Sequence, residues 1–391
     1  MYKGGLQMNL SVFYKLLEDK TVSTLLIDNR TDLILNKIIE FAELESVTDR
    51  PLREYIISQL VNDENVMAKL LGEGYELGSD LKNAALSDLE QIMDVLNTMT
   101  GFQYTPSIHK MRFCDEYQAS IKEMTEASSA KELLPLIINH YKTLGTGLFA
   151  RHIAVLCSKD GLSGIESPDT TSFDSLIGLE HIKKILIDNT ELFLSGERAN
   201  NVLLFGDRGT GKSSCIKALL NMYHKQGLRV IELPKNCITL IPELYKQLAG
   251  RPQKFILYLD DLSFEKHEPE YRSLKVSMEG QLGSIPQNVL IFATSNRRHL
   301  IKENWKDREG GDVHAGDNMQ EMLSLSERFG ISLVFSAPNQ KEYLDIVKEL
   351  LARKGIEINE DIEKKAIAWQ MNYGGRTPRC ASQFVAAYKD E

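Results

Sequence analysis

The chain has 391 residues, 42% apolar (AVILMFWYC) and 26% charged, with a formal net charge of −9 and a pI near 5.6. This is the composition of a soluble globular chain with material for a real core, and the acidic total excludes a polyanion binder as a whole while leaving room for a local basic patch. At ~150 residues per domain the length suggests two or three domains.

The N-terminal stretch MYKGGLQMNLSVFYKLLEDK has neither a long uncharged apolar core nor a cleavage-like site, so no signal peptide is expected. No window approaches the ~18 apolar residues of a membrane-spanning helix. Cys114, Cys157, Cys215, Cys237 and Cys380 are scattered, without a CxxC pair or a His at metal spacing. A reducing, cytoplasmic setting without a membrane is the expectation.

Residues 1–157 read as an all-α N-terminal domain. Segments 32–46, 83–99 and 130–144 place apolar residues three and four apart, the period of a helix with one buried face. Breaks fall at Gly and Pro, as in GEGYELGSD (72–80) and YTPS (104–107). Nothing in this region groups into a chemical constellation, and an adaptor or packing role is the plain expectation.

SKDGLSGIESPDTTS, residues 158–172, is rich in Gly, Ser, Pro and Thr and reads as a linker. From 173 to 338 the rhythm becomes strand and helix in alternation. Strands are expected at NVLLFG (201–206), RVIELP (229–234), FILYLDD (255–261), NVLIFATSN (288–296) and ISLVFSAP (331–338). Such apolar, β-branched runs suit a parallel sheet buried on both faces, joined by right-handed crossovers into a three-layer α/β core. Residues 339–391 return to helix and are expected to form a small lid domain.

The segment GDRGTGKS, Gly206 to Ser213, fits G-x-x-x-x-G-K-[ST] between an apolar strand and the helix SSCIKALLNMYHK. Glycines let backbone N–H groups turn toward phosphate oxygens, and the helix N-terminus adds a favourable field. Gly206, Asp207, Arg208, Gly209, Thr210, Gly211, Lys212, Ser213 and Ser214 are therefore the expected phosphate cradle. Lys212 would reach the β and γ phosphates, and the Ser213 hydroxyl would bind Mg²⁺. A Gly-rich turn without a ligand is the bland alternative.

YLDD follows at the tip of a later strand. Asp260 is expected on the metal side, since carboxylate oxygen suits hard Mg²⁺. Asp261 would position the attacking water, with Glu265 a second acid one helical turn on. The bland reading is a turn capping the next helix. Asn296, with Thr294 behind it, ends a strand on the edge where open α/β sheets bind ligands, and is expected to orient the same water.

The order GDRGTGKS, YLDD, ATSN, LSERFG and GGRTPR resembles that of an AAA+ ATPase, over about residues 170–391. More narrowly, GDRGTGKS, DDLSFE, ATSNRRHL and SLSERFG are similar to a bacterial AAA+ family catalogued as a domain of unknown function. The resemblance implies a P-loop NTPase core with a helical lid, ATP and Mg²⁺ as cofactors, and hydrolysis. It implies that Ile177 and Gly178 line the adenine and that Arg328 is a finger reaching a neighbouring protomer's γ-phosphate, hence a homo-oligomer. It implies a lid arginine on the phosphates, for which Arg379 in the first turn after Pro378 is favoured and Arg376 competes.

Arg297, Arg298 and His299 follow the Asn296 strand and read either as a phosphate, protomer or nucleic-acid contact or as a solvated basic turn. Cys215 is expected as a small buried hydrophobe. Residues 302–319 look like a polar insertion whose chemistry is unreadable. Two functions stand: an oligomeric ATPase remodelling an unknown protein or nucleic-acid partner gripped by the N-terminal helices, and an ATP-gated binding or scaffold module, possibly DNA-associated, that hydrolyses slowly. The second is suggested by Asp261, where many such ATPases carry Glu.

Overall fold

In this computed structural model residues 8–28, 30–98, 102, 104–107, 113–264, 268–279, 285–296 and 327–388 are described. The three-and-four spacing of the first part of the chain winds into α1 (Lys20–Leu26), α2 (Leu35–Leu44), α3 (Pro51–Asn62), α4 (Val66–Gly72), α5 (Ser79–Thr98), α6 (Asp115–Glu126), α7 (Ala130–Thr143) and α8 (Leu148–Arg151). Their stops and starts are local. Pro51 opens α3 at its first turn, and the side chains of Asn65 and Ser129 accept from Ala68 N–H and Glu132 N–H to start α4 and α7. Ile56, Leu60, Leu89, Ile92, Leu133 and Ile137 fill the centre of this helical core.

Two compact units divide the chain. One takes Met1–Val155 with Ser163–Pro168 and Ala249–Lys254, the other Leu156–Leu162, Asp169–Leu248 and Phe255–Glu391. Within the first, buried carboxylates hold chain that has no regular structure. Asp88 on α5 accepts from the N–H groups of Ser11, Val12 and Phe13 at 2.7–3.1 Å. Glu54 on α3 does the same for the Ser46–Thr48 bend, through Val47 N–H at 2.7 Å and the Ser46 and Thr48 hydroxyls. Gln253, buried, donates to the Leu144 carbonyl.

The strands among the described residues are β1 (Ala154–Ser158), β2 (Gly161–Gly164), β3 (Val202–Gly206), β4 (Leu228–Glu232), β5 (Lys254–Leu259), β6 (Val289–Ser295) and β7 (Ile331–Phe335). They lie in one sheet in the order β2-β1-β4-β5-β6-β3-β7. The β5–β6, β6–β3 and β3–β7 pairs are parallel, and α9 (Glu180–Leu194), α10 (Lys212–Tyr223), α11 (Ile241–Leu248) and α12 (Pro269–Glu279) supply the helices between. This is a three-layer α/β core, with helices flanking a sheet whose described pairs are parallel. The five expected strands are all present, slightly shorter than the apolar runs suggest. β1 and β2 fall across the end of the stretch read as helical (1–157) and within the one read as linker (158–172). GLSG has no β-branched residue, and its strand rests on backbone pairing that composition does not report.

Register does the positioning. Leu259 stands beside Ala293, and Ala293 beside Leu203, so the residues just past β5, β6 and β3 share one edge of the sheet. After β7 the lid follows: α13 (Gln340–Ala352), started by a reciprocal cap between Asn339 and Glu342, α14 (Glu360–Tyr373) capped by Asn359, and α15 (Pro378–Ala387) capped by Thr377 with Pro378 at its first position. Tyr343, Val347, Leu351, Ala366, Ala381 and Phe384 make its core. No helix among the described residues is long and apolar enough to cross a membrane.

His140 on α7 lies wholly buried, its Nδ1 2.8 Å from Ser120 Oγ. Burial alone pulls its pKa from 6.5 to about 4. The unfolded chain keeps the ordinary value, so between those pH values it takes up a proton that the folded chain refuses. His140 therefore costs nothing above pH ~6.5 and destabilises increasingly as pH falls toward 4. Denaturant unfolding at pH 7 and pH 4.5 should show the wild type losing about 2–3 kcal/mol more than His140→Gln across that interval.

Candidate functional site

Gly206 ends β3 with φ of 132°, and a Cβ there would lie 2.1 Å from the Phe335 carbonyl oxygen of β7. Only glycine lets the chain leave the strand at this point. The loop closes on Gly211, left-handed at φ 102° and the N-cap of α10. Within it Thr210 Oγ1 donates to the Asp207 carbonyl at 2.7 Å. Lys212, buried, spends its ammonium on the carbonyls of Gly206 at 3.0 Å and Asp207 at 2.6 Å. Burial pulls the Lys212 pKa below its ordinary value, against the attraction of Asp207, Asp261 and Asp260. The Lys212 ammonium is thus largely withdrawn from water and held by two loop carbonyls.

The acids stand on the adjacent strand tip. Asp260 Oδ1 accepts from Ser213 Oγ at 2.9 Å and from Thr294 Oγ1 at 2.6 Å. The same Thr294 oxygen accepts the Asp261 N–H at 2.9 Å, and Asn296 Nδ2 donates to Asp261 Oδ1 at 2.6 Å. One threonine on β6 thus fixes both acids, and the network joins β3–α10, β5 and β6 at a single edge. Withdrawal from water works against ionising Asp260, but hydrogen bonding, from Thr294 first and then Tyr258 and Ser213, outweighs it and holds the carboxyl below its ordinary value. Asp261 has φ of 48°, the one non-glycine positive φ among the described residues.

A divalent cation fits this donor set. Ser213 and Asp260 offer a hydroxyl and an ionised carboxylate within hydrogen-bond distance of each other, both hard oxygen donors of the kind Mg²⁺ takes. Among the described residues no group of three or more His, Cys, Asp or Glu gathers around one point. The remaining ligands of such an ion would be phosphate and water oxygens, the usual arrangement for Mg²⁺ beside a nucleotide.

The lid meets the loop at the Thr377 cap. Arg379 N–H donates to the Gly209 carbonyl at 3.3 Å, and a Cβ on Gly209 would lie 3.4 Å from that of Arg379. Arg379 therefore starts beside the loop, while Arg376 precedes the helix; both are exposed. Arg208 is also exposed, and Ser214 half-buried on α10. Ile177 packs against the lid core, and Gly178 beside it is exposed with φ of 78°. Arg353 on α13 donates to the Asp174 carbonyl at 2.6 Å, a second tie between the lid and this segment. Arg328 stands apart from the acids, ion-paired with Glu279 at the end of α12. Cys215 is fully buried, and burial pushes its thiol up to about 12. Glu265, the triplet Arg297–Arg298–His299 and the insertion 302–319 lie outside the described residues.

Over residues 150–391 the sequence matches the model of a family described as a protein of unknown function, DUF815. The chain belongs to this family. The DUF815 match contains every residue of the site just described and leaves the helices up to residue 149 outside it. No curated protein matches the chain. Among solved structures, the Holliday junction branch migration motor RuvB of Thermotoga maritima is 20% identical, with a TM-score of 0.38 over 55% of this chain and 63% of its own. This chain thus spans under two thirds of the RuvB length. A complex of HORMA, CdnC and Trip13 from E. coli MS115-1 aligns at 14% identity and a TM-score of 0.34, over 56% and 91% of the two chains.

Three features of this DUF815 site escape sequence reasoning. The Glu279 partner of Arg328 lies 49 positions before it, and no spacing rule links them. The left-handed backbone at Asp261 leaves only a weak signal, that Asp tolerates this region better than most residues. The third is the side chain of Asp207, which accepts the Ala337 N–H from 130 positions along the chain. Thr294 is the simplest test of the network. Thr294→Val keeps shape but strips Asp260 of a donor and Asp261 N–H of its acceptor, so thermal unfolding should show a loss of about 1–3 kcal/mol.

Proposed function

We propose that this protein binds ATP with Mg²⁺ and hydrolyses it, acting as a homo-oligomer in the cytoplasm to remodel a protein or nucleic-acid partner engaged by the N-terminal helices. The observation that carries the reading is the oxygen network from Ser213 through Asp260 and Thr294 to Asp261 and Asn296, set beside a phosphate loop whose lysine is already dehydrated. In this reading backbone N–H groups of Gly209–Ser214 and the Lys212 ammonium hold the phosphates, while Ser213 and Asp260 hold the metal. Mg²⁺ supplies neutralisation of charge on the phosphate oxygens.

Asp261 and Asn296 hold the attacking water, and Asp261 takes its proton. Ile177 and Gly178 flank the base, and Arg379 closes onto the phosphates from the lid. Arg328 adds positive charge at the γ-phosphate of the next protomer, once released from Glu279.

One observation favours a slower variant of the same chemistry. The Asp261 carboxylate is engaged by the Asn296 amide, so a water must displace or share that bond before it meets the base. On this second reading ATP acts chiefly as a gate, setting assembly and partner binding, and turnover resets it.

Steady-state ATPase assays of point variants test the proposal. Lys212→Ala should abolish nucleotide binding. Arg328→Ala should still bind ATP while losing about 10³-fold in rate, and mixing it with Asp261→Asn should recover part of the activity, because each protomer supplies what the other lacks. An Arg328→Ala protein turning over at the wild-type rate would remove the intersubunit finger. A wild type that neither binds nor hydrolyses ATP would sink the whole reading.

A further inference from the structure

The first variable position of the phosphate loop is an aspartate, an odd choice for a loop meant to cradle an anion. Its carboxylate repels phosphate unless something turns it away. In this chain something does. Asp207 Oδ2 accepts the backbone N–H of Ala337 at 2.7 Å, and the Asp207 N–H donates to the Phe335 carbonyl at 2.8 Å. Residues 335–337 are the last of β7 and the start of the connection into α13, the point from which the lid helices hang. The other end of the loop is tied to the lid as well, through Arg379 N–H on the Gly209 carbonyl.

The carbonyl of the same residue is where Lys212 and Thr210 spend their donors, at 2.6 and 2.7 Å. A phosphate drawing Lys212 toward itself takes the ammonium off the Gly206 and Asp207 carbonyls. The residue whose carbonyl hydrogen bonds change is then the residue whose N–H and side chain grip the lid's base. We infer that Asp207 is a positioning residue that couples phosphate binding at Lys212 to the setting of the C-terminal helices. The inference rests on the nucleotide reading above and adds to it a route from the phosphates to the lid.

A carboxylate on a backbone N–H is a stronger bond than a neutral pair, which accounts for an acid at this place. What the coupling needs, though, is an acceptor oxygen rather than a charge. Asp207→Asn keeps an acceptor, Asp207→Ala does not, and both remove the repulsion between residue 207 and a phosphate. A purely electrostatic role for Asp207 would make the two variants alike; the coupling makes them differ.

Hydrogen exchange read by mass spectrometry on the full chain, with and without Mg²⁺ and ATP, separates these, alongside a direct ATP-binding titration and kcat and KM for ATP. Without nucleotide the Ala337 amide should exchange about fivefold faster in Asp207→Ala than in wild type, the loss of one exposed hydrogen bond to a charged group. With ATP, wild type and Asp207→Asn should change exchange across 335–339 and 377–380 together. Asp207→Ala should bind ATP at least as tightly, show no lid response, and lose about tenfold in kcat without a rise in KM.

Ala337→Pro deletes the same bond from the donor side and should reproduce the uncoupling, so the test does not hang on one variant folding. If Asp207→Ala binds ATP and its lid responds as in wild type, the inference is overturned while the nucleotide reading stands. If wild type binds no ATP, both are overturned.

Discussion

The Asp260 carboxylate, held ionised by two hydroxyls at the open edge of the sheet, is the interaction on which the rest of the site depends. Each donor comes from a different part of the core: Ser213 from the start of α10, Thr294 from the end of β6. A single oxygen of Asp260 therefore fixes the distance between the phosphate loop and two strand tips. Register makes this possible, since Leu259 and Ala293 are paired neighbours and the next residue of each strand must emerge side by side. Thr294 extends the constraint to Asp261 by accepting its N–H, and Asn296 ends it. Parallel pairing of buried apolar strands thus converts a run of hydrophobic residues into a fixed arrangement of polar ones.

Much of this arrangement is legible in the residues. The strands are readable because a parallel sheet covered on both faces demands unbroken apolar runs, and KFILYL and VLIFATS are of that kind. The loop is readable because glycine is required where Gly206 crosses the Phe335 carbonyl. β2 is not readable, because GLSG has no β-branched residue, and β1, the apolar run AVLCS, adjoins the helical stretch directly. Long-range polar partners are invisible for a related reason. Asp88 on Ser11–Phe13, Glu279 on Arg328 and Asp207 on Ala337 join positions far apart in sequence, and a carboxylate in a sequence carries no mark of what it will accept from. The choice between Arg376 and Arg379 was likewise open on helix phasing. Both are exposed in the structure; Arg376 lies ahead of the helix, and Arg379 is bonded through its backbone to Gly209.

The same reasoning gives a physical origin for the least expected residue of the motif. At position 261, after Asp260, the chain carries Asp, a methylene shorter than Glu, and on a fixed backbone that shortening would draw the carboxylate back. The backbone is not that of an extended strand, however. β5 ends at Leu259, and Asp261 turns into the left-handed region at φ 48°, which re-aims its side chain. Among residues with a Cβ this region is least costly to Asp and Asn, whose short polar side chains bond locally, and more costly to longer ones. Here the local bonds are present: Thr294 takes the N–H and Asn296 the carboxylate. Strain of this kind persists only where surrounding contacts over-determine it, and two hydrogen bonds from one strand do so. Asp at 261 thus follows from the turn the backbone makes, and its reach is set by β6 as much as by its own length. Thr294 and Asn296 are then as much a part of what Asp261 does as its carboxylate is.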